Sequence, residues 1–273
     1  MLPLVREDIN GIDCWRVAFL EEQAPVRAYF SGRAGGKSRP PYDTLNLGLH
    51  AGDAADIVLA NRQELAAALG LPLTGWIIGA QVHGNQVALV GRRDAGRGAM
   101  ELTTALPGVD AMVTGSGGLT LVAFYADCVP LYLVDPARGV AGLAHAGWRG
   151  TVLRVASQVV ARMVTEFNSS PAGILACIGP AIGPCCYQVD ERVAAAVRQH
   201  LPWADDVLLP DGPGHYRLDL PQSNRRDLQA AGLQPGHIAL AGICTCCRAD
   251  TFFSYRAAGG PTGRQAALLT ITG

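Results

Sequence analysis

The sequence predicts a mixed α/β or α+β sandwich, in which strands and helices pack around a large core. Three observations lead to this fold class. Short runs rich in Val, Ile, Leu and Tyr recur between Gly and Pro residues, which is typical of strands. Longer segments between them have apolar residues at helical spacing. Hydrophobic residues make up 49% of the 273 residues, so the chain can bury a substantial core.

Strands and helices follow one another along the chain. Strands are predicted at the apolar runs 15–20, 26–30, 76–79, 119–124, 131–135, 140–144, 174–178 and 267–271. Helices are predicted over the periodic segments 56–69, 151–167, 190–201 and 222–231. The mixture of the two element types favours a layered architecture over an all-α or all-β fold.

No feature of the sequence marks a domain boundary. Length alone permits one large domain or two small ones, but a long polar linker, a tandem repeat and a low-complexity tail are all missing from the sequence. The segment 91–107, which has the least regular pattern, is interpreted as a surface loop inside a domain. We therefore expect residues 1–273 to form a single domain.

Charge and hydropathy exclude several classes of partner. The net charge is −1 and only 16% of residues are charged, so no field is available to attract nucleic acid or an anionic membrane. The N-terminus is acidic where a signal peptide needs a basic region. The longest apolar run, 119–125, is far shorter than the roughly 20 residues that span a bilayer. We expect a soluble, cytoplasmic protein; the sequence sets no oligomeric state.

Three residues form a candidate metal site. Cys128 follows one predicted strand, His145 ends the strand after the next one, and His83 follows another apolar run. Strands that are neighbours in one sheet would bring Cys128 and His145 together. Two imidazoles and a thiolate are a typical three-ligand zinc set, which leaves a fourth position open, as in catalytic sites. The sequence therefore predicts zinc at His83, Cys128 and His145.

Two other interpretations of these residues stay open. Single buried His and Cys residues are common in cores and turns, although all three together favour a metal. Alternatively, Cys128 and His145 could act without a metal, with His145 lowering the thiol pKa and Cys128 attacking a carbonyl.

Two glycine-rich segments are candidates for anion binding. Arg149 lies in Gly-Trp-Arg-Gly at the start of a predicted helix, where amide donors and a guanidinium could hold phosphate. The loop from Ser31 to Ser38 brings Arg33 and adjacent glycines together, but it lacks the order of a P-loop. We expect Arg33, Ser38 and Arg149 to bind substrate or phosphate, with a glycine turn and a flexible loop as the alternatives.

The eight cysteines are too few for a disulfide scaffold in a chain of this length. Two late clusters, Cys185-Cys186 and Cys244-Thr-Cys246-Cys247, could be halves of a second metal site. Because the Cys-x-x-Cys spacing of zinc knuckles is not present on both sides, packed and reduced thiols are the preferred interpretation.

Several motifs together resemble one known family. They are Arg-x-Gly-Gly-x-Ser, Pro-Tyr with Leu-Asn-Leu-Gly, Gln-Val-His-Gly, Ala-Asp-Cys-x-Pro, His-Ala-Gly-Trp-Arg-Gly, Ile-Gly-Pro-x-Ile-Gly, and Phe-Phe-Ser-Tyr-Arg followed by Thr-Gly-Arg. In this order, from Arg33 to Arg264, they resemble the laccase-domain family, also called polyphenol oxidases or peptidoglycan editing factors. The resemblance covers most of the chain.

The resemblance implies a fold, a metal and an activity. The fold is a single-domain sandwich with two mixed sheets between helices, and the zinc ligands match His83, Cys128 and His145. Members convert adenosine, inosine, guanosine or methylthioadenosine and phosphate to base and ribose 1-phosphate, and also deaminate adenosine. Ala257 stands where a second basic residue is usual, and Arg39-Pro40 lengthens the first loop, which affects substrate preference more than reaction class.

Residue roles follow as hypotheses. For deamination, zinc would activate water for attack at C6 of adenine, with Asp127 as the general acid/base and Asp110 behind it. For phosphorolysis, Arg149 and the Arg33 loop are the phosphate candidates.

Three alternatives remain. Copper could replace zinc at a His₂Cys set, but laccase chemistry needs a further imidazole-rich copper cluster, and the remaining histidines are scattered: His50, His200, His215 and His237. An editing hydrolase acting on cell-wall precursors could use Cys128 and His145 as a pair. A zinc-stabilised binding protein would show ligand-induced stabilisation without turnover.

Overall fold

Two β-sheets stacked face to face form the centre of the molecule. The structure is a computed structural model that describes residues 2–272. One sheet has seven strands, the other six, and a third sheet of three strands lies apart from them. Side chains from both large sheets meet in a common buried cluster that includes Leu121 and Leu269 from the first and Tyr132 and Leu143 from the second.

The seven-stranded sheet combines antiparallel and parallel pairs. Its strands in spatial order are β1 (Val5–Ile9), β2 (Ile12–Arg16), β3 (Val26–Ser31), β16 (Gln265–Ile271), β8 (Thr120–Tyr125), β4 (Trp76–Ala80) and β6 (Leu106–Pro107).

The six-stranded sheet is also mixed. Its order is β15 (Ile238–Leu240), β11 (Leu175–Ile178), β9 (Val129–Asp135), β10 (Val140–Ala146), β7 (Ala111–Thr114) and β5 (Val87–Leu89). The small sheet has the order β12 (Gln188–Asp190), β14 (His215–Leu218) and β13 (Leu208–Pro210).

Within residues 2–272, eight α-helices connect or cover the strands. They are α1 (Ala18–Glu21), α2 (Ala55–Leu69), α3 (Trp148–Val152), α4 (Val155–Phe167), α5 (Glu191–His200), α6 (Ala204–Val207), α7 (Leu220–Ala230) and α8 (Tyr255–Ala258). Short 3₁₀ turns lie at Leu73–Gly75, Arg92–Asp94, Leu102–Thr104, Pro171–Gly173 and Pro235–His237. Within the described residues, no helix is long and apolar enough to cross a membrane.

Helices cover the outer face of each large sheet, so the molecule has four layers. Helix α2 packs Leu65 and Leu69 onto the seven-stranded sheet, in a cluster that includes Leu268. Helix α4 packs Val155 and Val159 onto the six-stranded sheet, in a cluster that extends to α5 and α7. Burial on both faces explains why strands β8, β9 and β10 are apolar throughout rather than alternating.

The predicted fold class is confirmed: the architecture is a mixed α+β sandwich of sheets flanked by helices. Two element predictions were wrong in detail. The apolar run 15–20 is not one strand, because β2 ends at Arg16 and helix α1 begins at Ala18. The helix predicted over 151–167 is interrupted at Arg154, whose φ of 59° places it in the left-handed region and separates α3 from α4.

The chain crosses from one large sheet to the other between β8 and β9. Strand β8 belongs to the seven-stranded sheet and β9 to the six-stranded sheet, and only Ala126, Asp127 and Cys128 separate them. Asp127 has a φ of 89°, which reverses the chain direction at this crossing. This short connection places Cys128 where the two sheets meet.

Candidate metal centre

His83, Cys128 and His145 converge at one end of the sheet sandwich. One nitrogen of each imidazole and the Cys128 sulfur all lie within 4.8 Å of one another. His145 is buried, Cys128 is half-buried and His83 is exposed, so the group has one face toward solvent. The structure brings together the three residues that the sequence singled out.

The topology explains this convergence. Strands β4 and β8 pair in parallel, so the segments that follow them, which carry His83 and Cys128, emerge at the same edge. His145 lies on β10, opposite Pro130 of the strand that follows Cys128. The expected arrangement of neighbouring strands in one sheet is wrong, because β8 and β10 lie in opposite sheets. Cys128 meets His145 through the crossing into β9.

Asp110 orients two of the three residues. Its Oδ1 lies 2.9 Å from Nδ1 of His145, and the same oxygen accepts a hydrogen bond from the backbone N–H of His83. Its Oδ2 accepts from the backbone N–H groups of Val82 and Gly84. These bonds fix the loop around His83, whose φ is 61°, and leave Nε2 of His145 free to face the Cys128 sulfur.

Gly147 lies directly against the His83, Cys128 and His145 group. A Cβ atom at this position would lie 3.0 Å from the Cys128 sulfur and 3.1 Å from Cδ2 of His83. A side chain here would therefore force the Cys128 sulfur or the His83 ring to move. Glycine is needed at position 147 because the Cys128 sulfur and the His83 ring approach it closely, and not because of its backbone conformation.

Electrostatics favour an ionised Cys128. Burial by itself raises the pKa of the thiol, but the charge of His145 and hydrogen bonds from His145 and His83 outweigh it and lower the pKa to about 6. Burial likewise lowers the pKa of His145, but the charge of Cys128 and the hydrogen bond to Asp110 outweigh it and raise the pKa to about 9. A thiolate is the form of cysteine that binds metals.

The donor set fits a tetrahedral metal ion. Ligand distances of about 2.0–2.3 Å place the donor atoms about 3.3–3.6 Å apart, within the spread seen here. The Asp110–His145 hydrogen bond is the outer contact that metal-binding histidines usually make. His83, Cys128 and His145 can therefore hold a metal with one position left for water or substrate.

A cavity of about 480 Å³ opens next to this group. This is within the range of small-molecule binding sites. Its apolar and aromatic lining consists of Phe124, Ala126, Gly147, Trp148, Ile182, Tyr187, Leu220 and Tyr255. Its polar lining consists of His50, Gln81, His83, Asp127, Cys128, His145, Arg149, Arg256 and Arg264.

Three arginines give the cavity positive charge. Arg149 stacks on the ring of Trp148, with its guanidinium carbon 4.7 Å from the ring centroid. Arg256 donates hydrogen bonds to the carbonyls of Cys186 and Gln188. Burial lowers the pKa of Arg264, whose guanidinium donates to the carbonyls of Thr262 and Gly263.

Asp127 lines the cavity directly beside Cys128. Its Oδ1 accepts a hydrogen bond from the Thr245 hydroxyl at 2.7 Å, and its Oδ2 accepts from the backbone N–H of Arg256 at 2.7 Å. The carboxylate thus joins three separate segments of the cavity wall. Each oxygen retains a further lone pair.

Arg33 and Ser38 do not line the cavity. Arg33 donates to the carbonyls of Asp43 and Ala249 and stacks on Phe253 at 5.0 Å. Ser38 is buried and its hydroxyl donates to Asp53. Local composition suggested an anion-binding loop, but these long-range partners occupy both polar groups.

Several cavity residues were missed by the reasoning from residue types. Arg256 and Arg264 lie in the Phe-Phe-Ser-Tyr-Arg and Thr-Gly-Arg motifs, which carried the family resemblance but received no role. Phe124 was assigned only to a predicted strand, and Tyr187 was not singled out. His50 was only counted among the leftover histidines. Proximity in space, rather than any local pattern, identifies them.

A family model described as "Multi-copper polyphenol oxidoreductase laccase" matches residues 27–272. Among curated proteins, "Purine nucleoside phosphorylase YlmD" of Geobacillus stearothermophilus is 45% identical over 238 residues, which cover 86% of each chain. "Adenosine deaminase RL5", from an unknown prokaryotic organism, is 35% identical over 254 residues, covering 93% of this chain and 97% of that protein.

Solved structures show the same fold. The crystal structure of YlmD from Geobacillus stearothermophilus superimposes with a TM-score of 0.95 at 40% identity, covering 100% of both chains. The Bacillus licheniformis hypothetical protein YfiH superimposes with a TM-score of 0.93 at 38% identity, covering 98% of this chain and 99% of that one.

Proposed function

The chain belongs to the family described as multi-copper polyphenol oxidoreductase laccase, and from this membership we propose that it is a zinc-dependent purine nucleoside phosphorylase with adenosine deaminase activity. Its substrates would be adenosine, inosine, guanosine and methylthioadenosine. Phosphorolysis yields the base and ribose 1-phosphate, and deamination of adenosine yields inosine. The names of the relatives support both reactions.

One observation carries the proposal: the His83, Cys128 and His145 group opens directly into a cavity large enough for a nucleoside. A structural metal site would be closed by a fourth protein ligand, whereas three ligands leave a reactive position. The three residues line the same cavity as several aromatic and cationic side chains. That combination suits a planar base together with phosphate.

The residues support zinc over copper at this position. A His₂Cys set can hold either ion, but oxidation by a multicopper centre needs an additional cluster rich in imidazole. Within residues 2–272, the other group of close metal-binding side chains contains only cysteines. The name of the family therefore does not imply laccase chemistry for these residues.

A zinc ion bound here supplies Lewis-acid activation at its open coordination position. The protein side of the site then depends on Asp110, which holds His145 in one tautomer by accepting from Nδ1. The same carboxylate holds the backbone of His83. Asp110 thus positions two ligands without touching the substrate.

Aromatic residues provide the surface for the base. Phe124, Trp148, Tyr187 and Tyr255 line the cavity, and flat π-faces stack on any purine without requiring one exocyclic group. This arrangement agrees with a substrate range that includes both amino- and oxo-purines.

Arg149 is our main candidate for binding phosphate, supported by Arg264. Both guanidiniums line the cavity, and charge-assisted hydrogen bonds to phosphate would hold the nucleophile beside the glycosidic bond. Stacking on Trp148 limits the rotamers of Arg149, so less side-chain entropy is lost on binding. Arg33 and Ser38 have no part in this assignment.

Asp127 stays our candidate for proton transfer. Its carboxylate lines the cavity next to Cys128, and the lone pairs not used by Thr245 and the Arg256 backbone can accept a proton. A proton carried on an Asp127 oxygen could be delivered to the departing amine or to the purine ring.

The decisive experiment is product analysis by mass spectrometry. Metal-replete protein is incubated with adenosine, with and without phosphate, beside Cys128→Ala and the control Cys246→Ala, whose thiol is half-buried outside the cavity. We expect adenine and ribose 1-phosphate only with phosphate, inosine without it, and neither from Cys128→Ala. The control variant should match the unmodified protein.

Three results would contradict the proposal. Turnover that survives complete metal removal would exclude a role for the ion. Absence of nucleoside turnover, together with release of an amino acid from a muramyl precursor, would favour a Cys128/His145 editing hydrolase. Thermal stabilisation by nucleosides without any product would indicate a binding protein.

A further inference from the structure

Four cysteines form a second cluster outside the cavity. Cys185, Cys186, Cys244 and Cys247 come from two segments about sixty residues apart, and their sulfurs all lie within 4.8 Å of one another. The Cys247 sulfur lies 3.5 Å from that of Cys185 and 3.4 Å from that of Cys186. All four are free thiols; Cys185 and Cys247 are exposed, and Cys186 and Cys244 are half-buried.

The spacing of the sulfurs fits one tetrahedral ion. A zinc–sulfur distance of about 2.3 Å places the sulfurs of a tetrathiolate site about 3.8 Å apart. Cys244 and Cys247 supply the Cys-x-x-Cys half of such a site, and the adjacent pair Cys185 and Cys186 supplies the other half. Nearly equal distances from Cys247 to both members of that pair suit a shared ion better than one disulfide.

Contacts around the cluster match those of a bound metal–thiolate group. The backbone N–H of Gly183 donates to the Cys244 sulfur at 3.2 Å, and such outer hydrogen bonds stabilise thiolate ligands. A Cβ on Gly183 would lie 3.3 Å from the Cys185 sulfur and 3.7 Å from the Cys244 sulfur, so the glycine lets both sulfurs approach.

Two arginines bind the backbone of the cluster. Four thiolates and one divalent cation would carry a net charge of −2, which nearby cations would offset. Arg217 donates to the carbonyl of Cys185, and Arg256 donates to the carbonyl of Cys186, each at 3.0 Å. Arg217 also pairs with Asp211.

We propose that Cys185, Cys186, Cys244 and Cys247 bind one structural zinc ion, which joins the segments 183–187 and 244–247. The first segment ends at Tyr187 and the second includes Thr245, which donates to Asp127. Tyr187 and Asp127 both line the cavity. The ion thus fixes two parts of the cavity wall relative to each other. It shares no ligand with the His83, Cys128 and His145 group.

The test counts metal ions in the full chain by native mass spectrometry and elemental analysis. We expect two zinc ions per chain in the unmodified protein and one in Cys128→Ala. One ion should also remain in the double variant Cys185→Ser/Cys247→Ser. The matched control is Cys246→Ser, which changes a thiol in the same segment that is outside the group of four, and it should keep two ions.

The Cys128→Ala background separates this proposal from the proposed activity, because it reports only the second site. Cobalt added to Cys128→Ala should give thiolate-to-metal charge-transfer absorption, and zinc should slow hydrogen exchange in 183–187 and 244–247. If the double variant fails to fold, Cys128→Ala remains decisive. A metal-free Cys128→Ala protein, iron in place of zinc, or a disulfide within the four cysteines would overturn the proposal.

Discussion

Asp110 and His145 form a fully buried pair, joined twice: Oδ1 of Asp110 lies 2.9 Å from Nδ1 of His145, and the His145 backbone N–H donates to the Asp110 carbonyl at 2.8 Å. The side-chain contact selects the histidine tautomer, and the backbone contact fixes the position of the ring along β10. His145 is therefore held ready for a metal before any ion binds.

Asp110→Asn should weaken zinc binding about 10- to 100-fold, which is typical of the loss of an outer carboxylate. The amide would retain one acceptor oxygen, but its nitrogen cannot accept from the backbone N–H groups that Oδ2 now serves. Competition with a chromogenic chelator measures the change. The control Asp205→Asn alters an exposed residue and should leave zinc affinity unchanged; equal affinities for both variants would contradict this role.

Gly147→Ala should also reduce zinc affinity, for a steric reason. The new methyl group would lie 3.0 Å from the Cys128 sulfur and 3.1 Å from His83, so one ligand must move. We expect a loss of about tenfold or more, which corresponds to at least about 1.4 kcal/mol of binding free energy. Gly236→Ala places a methyl group in open space and is the control. Isothermal titration calorimetry with zinc measures the affinity of both variants. Equal affinities would contradict this steric role of Gly147.

Arg149→Ala should raise the KM for phosphate by about tenfold, because one charge-assisted hydrogen bond contributes about 1.5–3 kcal/mol. Arg33→Ala should instead leave this KM unchanged and lower the melting temperature. Arg33 is bonded to Asp43 and Ala249 rather than to the cavity. Initial rates at varied phosphate, with thermal denaturation of each variant, distinguish the two arginines. A phosphate effect confined to Arg33→Ala would restore the expectation from sequence.

Stability should decrease at high pH because of two buried thiols. Burial raises the pKa of Cys14 and of Cys177 to about 12, while both ionise near about 8.5 in the unfolded chain. Between about pH 9 and 12 the folded state holds protons that the unfolded state has released, so unfolding becomes easier as pH rises. Each thiol contributes a slope of at most about 1.4 kcal/mol per pH unit.

Cys177→Ala should make that slope shallower. Urea denaturation at several pH values between about 8 and 10 gives the free energy of unfolding for both proteins. The alanine variant loses some stability at every pH because its side chain fills less of the core, so only the slopes are compared. Parallel curves would show that Cys177 does not contribute to the decline.

Much of the fold follows from local pattern, because buried strands with helices on both sides are apolar throughout. The runs at Leu121 and Leu133 could therefore be recognised without knowing their partners. The three-stranded sheet was missed, since its strands are three or four residues long and mostly exposed. The break at Arg154 was missed because apolar periodicity continues across it.

The convergence of His83, Cys128 and His145 could be predicted because each stands at the end of a strong apolar run. The cysteine cluster could be suspected but not assembled, since Cys185 and Cys247 meet only through long-range folding. The contacts of Arg33 could not be predicted for the converse reason. Its local glycine-rich context is suggestive, while the partner that defines its role, Ala249, lies 216 residues away.

The three candidate metal ligands are carried by both sheets: His83 follows a strand of the seven-stranded sheet, His145 lies in the six-stranded sheet, and Cys128 stands at the crossing between them. The distance between stacked sheets is set by the side chains packed between them, such as Leu121 and Leu143. The distances between the three side chains therefore depend on how the core between the sheets is packed. Metal preference can change through that core, and substrate preference through the cavity loops, so the two properties are free to diverge separately as the sequence evolves.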